Sequence, residues 1–406
     1  MSARAISERV RQLLGAAALP ETRGSVPLAE PADEEGCALL LRTASAEGWR
    51  VAIEGAGSWC ATPADADLRL GTARLHDVGP VDAGDLVATA QAGVRWTTLR
   101  ERLADHGTWL AQDVPGGDRT LGSVLATGTA GPLRSGYGAP RDHVLGLTLV
   151  TGDGRILRVG GRVVKNVAGY DVAKLALGTF GAFGVVTSVH LRLRAVPRAD
   201  LLLRCTGPRD ALLDAARAVL RAGLTPAAIE LLSPAASRAD DWTLALRLVG
   251  TEQEVAADDV TVRAAVGRPC TTDRGDDARR FWHGTLADVV RPPVTLRIGA
   301  DPAELETALD LVALHLDERV ADWIGVSVPA GTVRWSGAAS PDVLSRLRRA
   351  AAQHEWPLTL ERAPADVCRA VGHFGAYREG VFRLVQSLRT AFDPAGILAA
   401  PLDPTP

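Results

Sequence analysis

Lysine and asparagine are nearly absent from this 406-residue chain, and where they occur they occur together. The only two lysines are Lys165 and Lys174, the only asparagine is Asn166, and one of three tyrosines is Tyr170. All four fall within residues 161–194, although the chain otherwise writes its cations as Arg. Lys differs from Arg in hydration, in lacking a planar fork and in its ability to lose a proton. A lysine or an amide beside a reacting group can stabilise developing negative charge. Equally, Lys165 can pair with a carboxylate such as Asp171 and fix a loop. Both roles stay open at this level.

Glycine supplies the second chemical signal. Gly178, Gly181 and Gly184 precede a stretch in which Val185, Val189, Leu191 and Leu193 alternate with Ser188, His190, Arg192 and Arg194. That alternation predicts a half-buried strand with His190 on its wetter face. Closely spaced glycines ahead of a strand let a flat ligand approach the backbone. Two earlier runs share the character: Gly55-Ala56-Gly57-Ser58-Trp59, and Leu121-Gly122-Ser123-Val124-Leu125-Ala126-Thr127-Gly128, the latter introduced by Pro115-Gly116-Gly117. Small residues allow backbone N–H groups to crowd around phosphates. One such run is what any tight turn uses; three in order make a joint signal. A GxGxxG fingerprint is absent, which argues against a nicotinamide-binding Rossmann domain.

The sequence KNVAGYD, followed by L-x-x-G-x-x-G-x-x-G-V, resembles the PCMH-type FAD-binding domain of the vanillyl-alcohol-oxidase flavoproteins. Within that family the pattern is similar to the GlcE-type flavin subunits of glycolate oxidase, most clearly over residues 26–200. The resemblance implies an α+β fold: a tail over 1–25, a bipartite FAD domain over 26–200, a ferredoxin-like cap over 201–375, and a closing helix and tail over 376–406 that return to the FAD domain. It assigns FAD contacts to Gly55, Ala56, Gly57, Ser58, Trp59, Pro115, Gly116, Gly117, Leu121, Gly122, Ser123, Ala126, Thr127, Gly128, Lys165, Asn166, Gly181, Gly184, Val185 and Val186. Some relatives carry a flavin-linking histidine in the 55–59 loop. Here Ser58 and Trp59 stand there, so the expectation is non-covalent FAD.

The implied activity is oxidation of glycolate, or another 2-hydroxy acid, by the FAD subunit of a complex. A GlcD-type flavin subunit and a GlcF-type iron–sulfur subunit are its expected partners. Two other readings remain: a non-catalytic FAD relay in that complex, and a free-standing FAD oxidase of another alcohol or sugar. The His-x-Gly-Asp-Gly-Asn-x-x-His pattern of related hydroxy-acid dehydrogenases is missing. His283, His315, His354 and His373 are isolated, so no metal site is expected. Arg291, Arg297 and Arg334 are candidates for a substrate carboxylate, against the alternative of surface cations. No residue is singled out as catalytic base. The family's usual Asn-Pro-Gly is replaced by Leu398-Ala399-Ala400-Pro401, which leaves that asparagine's role without a carrier.

These residues need elements to hold them. Asp33 begins a helix, RVAIE is the strand into the first glycine loop, and RWTTLRERLADHG is a helix from near Thr97 to Gly107. LGLTLVT-GDG-RILRVGG reads as a hairpin. After residue 200, strands and helices alternate in two βαββαβ rounds, predicting an antiparallel sheet with helices on one face. The net charge of −3 and the scattered arginines exclude a nucleic-acid footprint. No apolar run approaches the roughly 20 residues of a membrane span, and the N-terminus lacks a signal-peptide core. The five cysteines, widely spaced and without CxxC, are expected to be buried thiols of a cytoplasmic protein, at most peripheral to a membrane through partners.

Overall fold

The structure, a computed structural model, describes residues 2–20, 25–59, 63, 65–162, 171–290, 292–316, 321–375, 377 and 380–400. Two small sheets build the glycine-rich half. In the first, strands Leu28–Ala29, Leu68–Gly71 and Val51–Glu54 lie parallel, in that order. Helix Glu34–Glu47 covers them, capped by the Asp33 carboxylate on the Gly36 N–H and closed by left-handed Gly48. Its buried face, Cys37, Leu40, Leu41 and Ala44, packs on Val51, Leu68 and Leu70.

The second sheet is antiparallel, in the order Val78–Asp82, Val87–Gln91, Val185–Arg192, Val144–Val150 and Ile156–Gly160. The 144–160 hairpin forms as expected. So does the alternating strand, on which His190 is half-buried, with Nδ1 2.8 Å from the Thr89 hydroxyl. Helix Leu121–Thr127 lies against this sheet through Leu121, Val124 and Leu125.

Residues 199–362 form one eight-stranded antiparallel sheet. Its first half runs Thr271–Arg274, Ala199–Gly207, Trp242–Gly250, Ala228–Leu232; its second runs Ala321–Ser327, Thr332–Gly337, Val294–Gly299, Leu358–Arg362. Each half is a βαββαβ unit, and they join edge to edge where Ala228–Leu232 pairs with Ala321–Ser327. Helices Arg209–Arg221, Glu252–Val266, Leu305–His315 and Pro341–Gln353 pack on one face over a large apolar core. The α+β expectation, including the paired ferredoxin-like units, matches this architecture.

Strand periodicity divides the sheet's residues. Ile229, Leu231, Leu246, Leu296, Ile324, Val333, Trp335 and Leu360 enter the helix-side core. Their alternates, Glu230, Arg247, Arg297, Trp323, Arg334 and Glu361, therefore face the other way, toward the glycine-rich half. Backbone bonds tie the two halves: Gly136 N–H to the Ala227 carbonyl at 3.1 Å and Gly116 N–H to that of Leu286 at 3.1 Å. A buried ion cluster adds to them, with Arg247 2.8 Å from Asp200 and 3.5 Å from Asp113. Finally, Ile397–Ala399 runs back along Val51, with Asp393 capping the Ile397 and Leu398 N–H groups.

The cysteine expectation needs correcting. Cys205 and Cys270 form a disulfide across 65 residues. They are distant in sequence, but strand Thr271–Arg274 pairs antiparallel with Ala199–Gly207, which brings them together. Cys37 and Cys368 are free thiols, both pushed up by burial, to about 12 and about 11. Cys60 lies outside the described residues.

Candidate active site

A cleft of about 1030 Å³ opens where the two small sheets meet. Three sequence-distant runs converge on it: Gly55, Gly57, Ser58 and Trp59; Gly122, Ser123, Ala126 and Thr127; and Gly181, Gly184, Val185 and Val186. Each run is delivered by an element end. Strand Val51–Glu54 stops at the first, Thr120 caps the helix carrying the second through the Ser123 N–H, and strand Val185–Arg192 starts in the third.

The glycines play different parts. A Cβ on Gly55 would overlap the Thr120 hydroxyl, and one on Gly184 the Val150 carbonyl, so these positions are small because chain packs on chain. Gly57 has φ +65° and, among the described residues beyond its chain neighbours, no atom within 4 Å of a built Cβ. Its left-handed backbone faces open cleft.

Several expected residues lie elsewhere. Leu121 is a fully buried core residue. Pro115, Gly116, Gly117 and Ala56 do not line the cleft. Gly116 instead lies under the Trp59 ring, where a Cβ would collide with the indole. Gly128 lines a neighbouring cavity. Lys165, Asn166 and Tyr170 lie outside the described residues. Asp171 is described: it caps helix Val172–Ala176 and pairs with Lys174 at 3.2 Å.

Sequence reasoning missed other contributors. Thr179, Phe180 and His373 line the cleft. His373 Nδ1 is 2.7 Å from the Leu360 carbonyl, and burial holds its ring below the usual range. Arg119, with no exposed surface, lies beneath the floor. Its guanidinium bonds Ser123 Oγ at 2.9 Å and Thr127 Oγ1 at 2.8 Å and stacks on the Trp59 ring at 4.1 Å. The Trp59 indole N–H is buried without an acceptor among the described residues. An orphan donor and an open, side-chain-free backbone fit an elongated polar cofactor such as FAD.

A neighbouring cavity lies beside the cleft: of two consecutive residues, Thr127 lines the cleft and Gly128 the cavity. Its far wall is the inner face of the eight-stranded sheet, with Glu230, Arg297, Trp323, Ser327 and Arg334; Arg134 closes the near side. Glu361 bridges Arg334 at 2.8 Å and Arg297 at 3.1 Å. Burial alone would raise the Glu361 carboxyl, but Arg334 and Arg297 hold it below its usual range. Of the three arginines expected as carboxylate ligands, two therefore share one cavity wall; Arg291 lies outside the described residues.

Comparisons with known proteins identify the family. Residues 27–160 match the FAD binding domain family. The glycolate oxidase subunit GlcE of Escherichia coli (strain K12) is 32% identical over 324 residues, 78% of this chain and 81% of that one. The mitochondrial D-lactate dehydrogenase (cytochrome) of Arabidopsis thaliana is 32% identical over 180 residues, 41% of this chain but only 31% of its own. The 4-ethylphenol oxidase from Gulosibacter chungangensis superimposes with a TM-score of 0.73 at 15% identity, over 97% of this chain and 95% of that one, which speaks for the fold alone. With a flavin-domain match over much of the cleft-building half and a relative matched along most of its length, the chain belongs to the vanillyl-alcohol-oxidase-type FAD-dependent oxidoreductases that include GlcE.

Proposed function

We propose that this chain is the FAD-binding subunit of a 2-hydroxy-acid dehydrogenase complex, with glycolate as substrate and glyoxylate as product. The observation that carries the reading is the pair Thr127 and Gly128, consecutive residues that line a cleft of small residues on one side and a cavity walled by arginines on the other. Gly55, Gly57, Ser58, Gly122, Ser123, Ala126, Thr127, Gly181, Gly184, Val185 and Val186 would hold the FAD, and Lys165 and Asn166 belong to the same reading. When bound, the flavin supplies a hydride acceptor beside the substrate carbon. Arg134 orients the substrate carboxylate, because a guanidinium fork matches its two oxygens, while Arg297 and Arg334 hold Glu361 in the same wall. The Trp323 and Trp282 rings exclude water from that cavity.

The FAD is held non-covalently, since no histidine stands in the 55–59 loop. Acid precipitation should release the flavin to the supernatant; flavin retained on the pellet would refute this. When bound, the flavin would hand its electrons to GlcD-type and GlcF-type partners, a reading supported by the similarity to GlcE. No helix among the described residues is long and apolar enough to cross a membrane, and the reading places the complex in the cytoplasm. The test is anaerobic mixing of the FAD-loaded chain with glycolate. Bleaching of the flavin band, and dye reduction once both partners are added, are the expected results. A flavin that stays oxidised with every 2-hydroxy acid, yet is reduced by a partner, would instead identify a relay subunit.

A further inference from the structure

The eight-stranded sheet carries a carboxyl group that no ion pair explains. Glu230 stands mid-strand in Ala228–Leu232, and alternation turns it into the cavity while Ile229 and Leu231 enter the apolar core. It is 5% exposed, and its Oε1 has no hydrogen-bond partner among the described residues. Ser327, across the strand pair, is its hydrogen-bonding neighbour, and the Ser327 hydroxyl is 3.2 Å from that of Ser135. A buried, unpaired carboxylate costs several kcal/mol, so such a group keeps its proton. Burial indeed pushes Glu230 up to about 8; Arg334 works against that shift and Asp113, itself paired with Arg247, works with it.

The other charges around the cavity are Arg134, Arg297 and Glu361. Arg297 and Arg334 are both committed to Glu361. Arg134 has no acidic group within 4 Å among the described residues. Burial and the nearby charges of Arg297, Arg141 and Arg334 hold its guanidinium below the usual range, with the Asp142 carboxylate, which caps the Ala139 N–H, working the other way. The wall thus offers one cation without an ion-pair partner and one neutral acid with an O–H to donate. A carboxylate satisfies both: the guanidinium takes its charge, and the acid O–H donates to one of its oxygens.

We infer that the cavity is a proton-linked carboxylate site, in which a small monocarboxylate binds against Arg134 together with one proton held on Oε1 of Glu230. The assignment deepens the 2-hydroxy-acid reading, which supplies the natural ligand. The site itself is testable without turnover.

The experiment is calorimetric titration of the FAD-loaded chain with glycolate, and with acetate as a probe that cannot be oxidised. Each titration is run in buffers of different ionisation enthalpy between pH 6 and pH 9.5. Above pH 8 the wild-type protein should take up close to one proton per bound ligand, and affinity should fall about tenfold per pH unit. Glu230→Gln keeps an N–H donor, so it should bind within a few-fold of wild type at pH 6, with no proton uptake and a flat pH profile. Arg134→Gln, at an exposed position outside the core, should bind at least tenfold more weakly at every pH. Failure of both ligands to bind wild type, or proton uptake that persists in Glu230→Gln, overturns the assignment. Flavin left oxidised by bound glycolate, with the proton linkage intact, sinks the 2-hydroxy-acid reading and leaves the site standing. Flavin reduction by glycolate without that linkage does the reverse.

Discussion

The cleft and the cavity beside it are lined by the consecutive residues Thr127 and Gly128, one each, but are built by opposite means. The cleft is a backbone structure. Its residues matter for the side chains they lack, and each run is local, a few residues between a strand and a helix. The cavity is a side-chain structure. Its charges come singly from Ala228–Leu232, Val294–Gly299, Thr332–Gly337 and Leu358–Arg362, and meet only because those strands share a sheet. The first is sensitive to added atoms and the second to lost charge.

The largest expected effect breaks the second. Glu361→Gln strips Arg334 and Arg297 of their shared counter-charge in a buried setting, and should destabilise the protein by about 3–5 kcal/mol. Chemical denaturation followed by tryptophan fluorescence measures it. A loss below about 1 kcal/mol would show that water, and not Glu361, satisfies those cations.

The next breaks the first. Gly57→Val puts a branched side chain at φ +65°, where the backbone faces open cleft. FAD affinity should fall roughly tenfold or more while circular dichroism of the apoprotein is unchanged. Full flavin occupancy in the mutant would show that this loop does not carry the cofactor.

A smaller effect sharpens the comparison through pH. The Glu230 carboxyl is raised from an ordinary 4.5 to about 8, so the stability it permits is fully present below pH 4.5 and lost as pH climbs through 8. Glu230→Gln carries no such dependence. The two proteins should melt together near pH 4.5, and the mutant a few degrees higher above pH 8. Parallel melting curves across that range would place water beside Glu230. The smallest effect belongs to neither region: Lys174→Met removes an exposed pair with Asp171 and should cost at most about 0.5 kcal/mol.

The same contrast decides what was legible in the sequence. Gly55–Trp59, the 121–128 helix and the alternating 185–192 strand are local patterns, and each was readable from a dozen consecutive residues. The two βαββαβ rounds were readable for the same reason, because alternation of strand and helix is written along the chain. The Glu361–Arg334–Arg297 group was not, nor was the Cys205–Cys270 pair, because both depend on register between distant strands. Glu230 left one trace, a lone acid inside AIELL. Leu121 and Gly116 do not line the cleft: a small-residue run announces a loop or short helix near a ligand but not which of its members face it.

The return of Ile397–Ala399 to Val51 has a consequence for how the molecule is made. Val51–Glu54 leads into the first glycine loop, and its neighbour on one side is the last segment the structure describes. During synthesis the whole eight-stranded sheet emerges between the cleft's third run and that closing segment. Domains fold as they leave the ribosome, so the sheet can assemble while the cleft is still missing the Ala399 side of its wall. Cofactor capture is thereby deferred until that segment has been made, and a nascent chain stalled before residue 397 would carry a folded sheet but no finished seat for flavin.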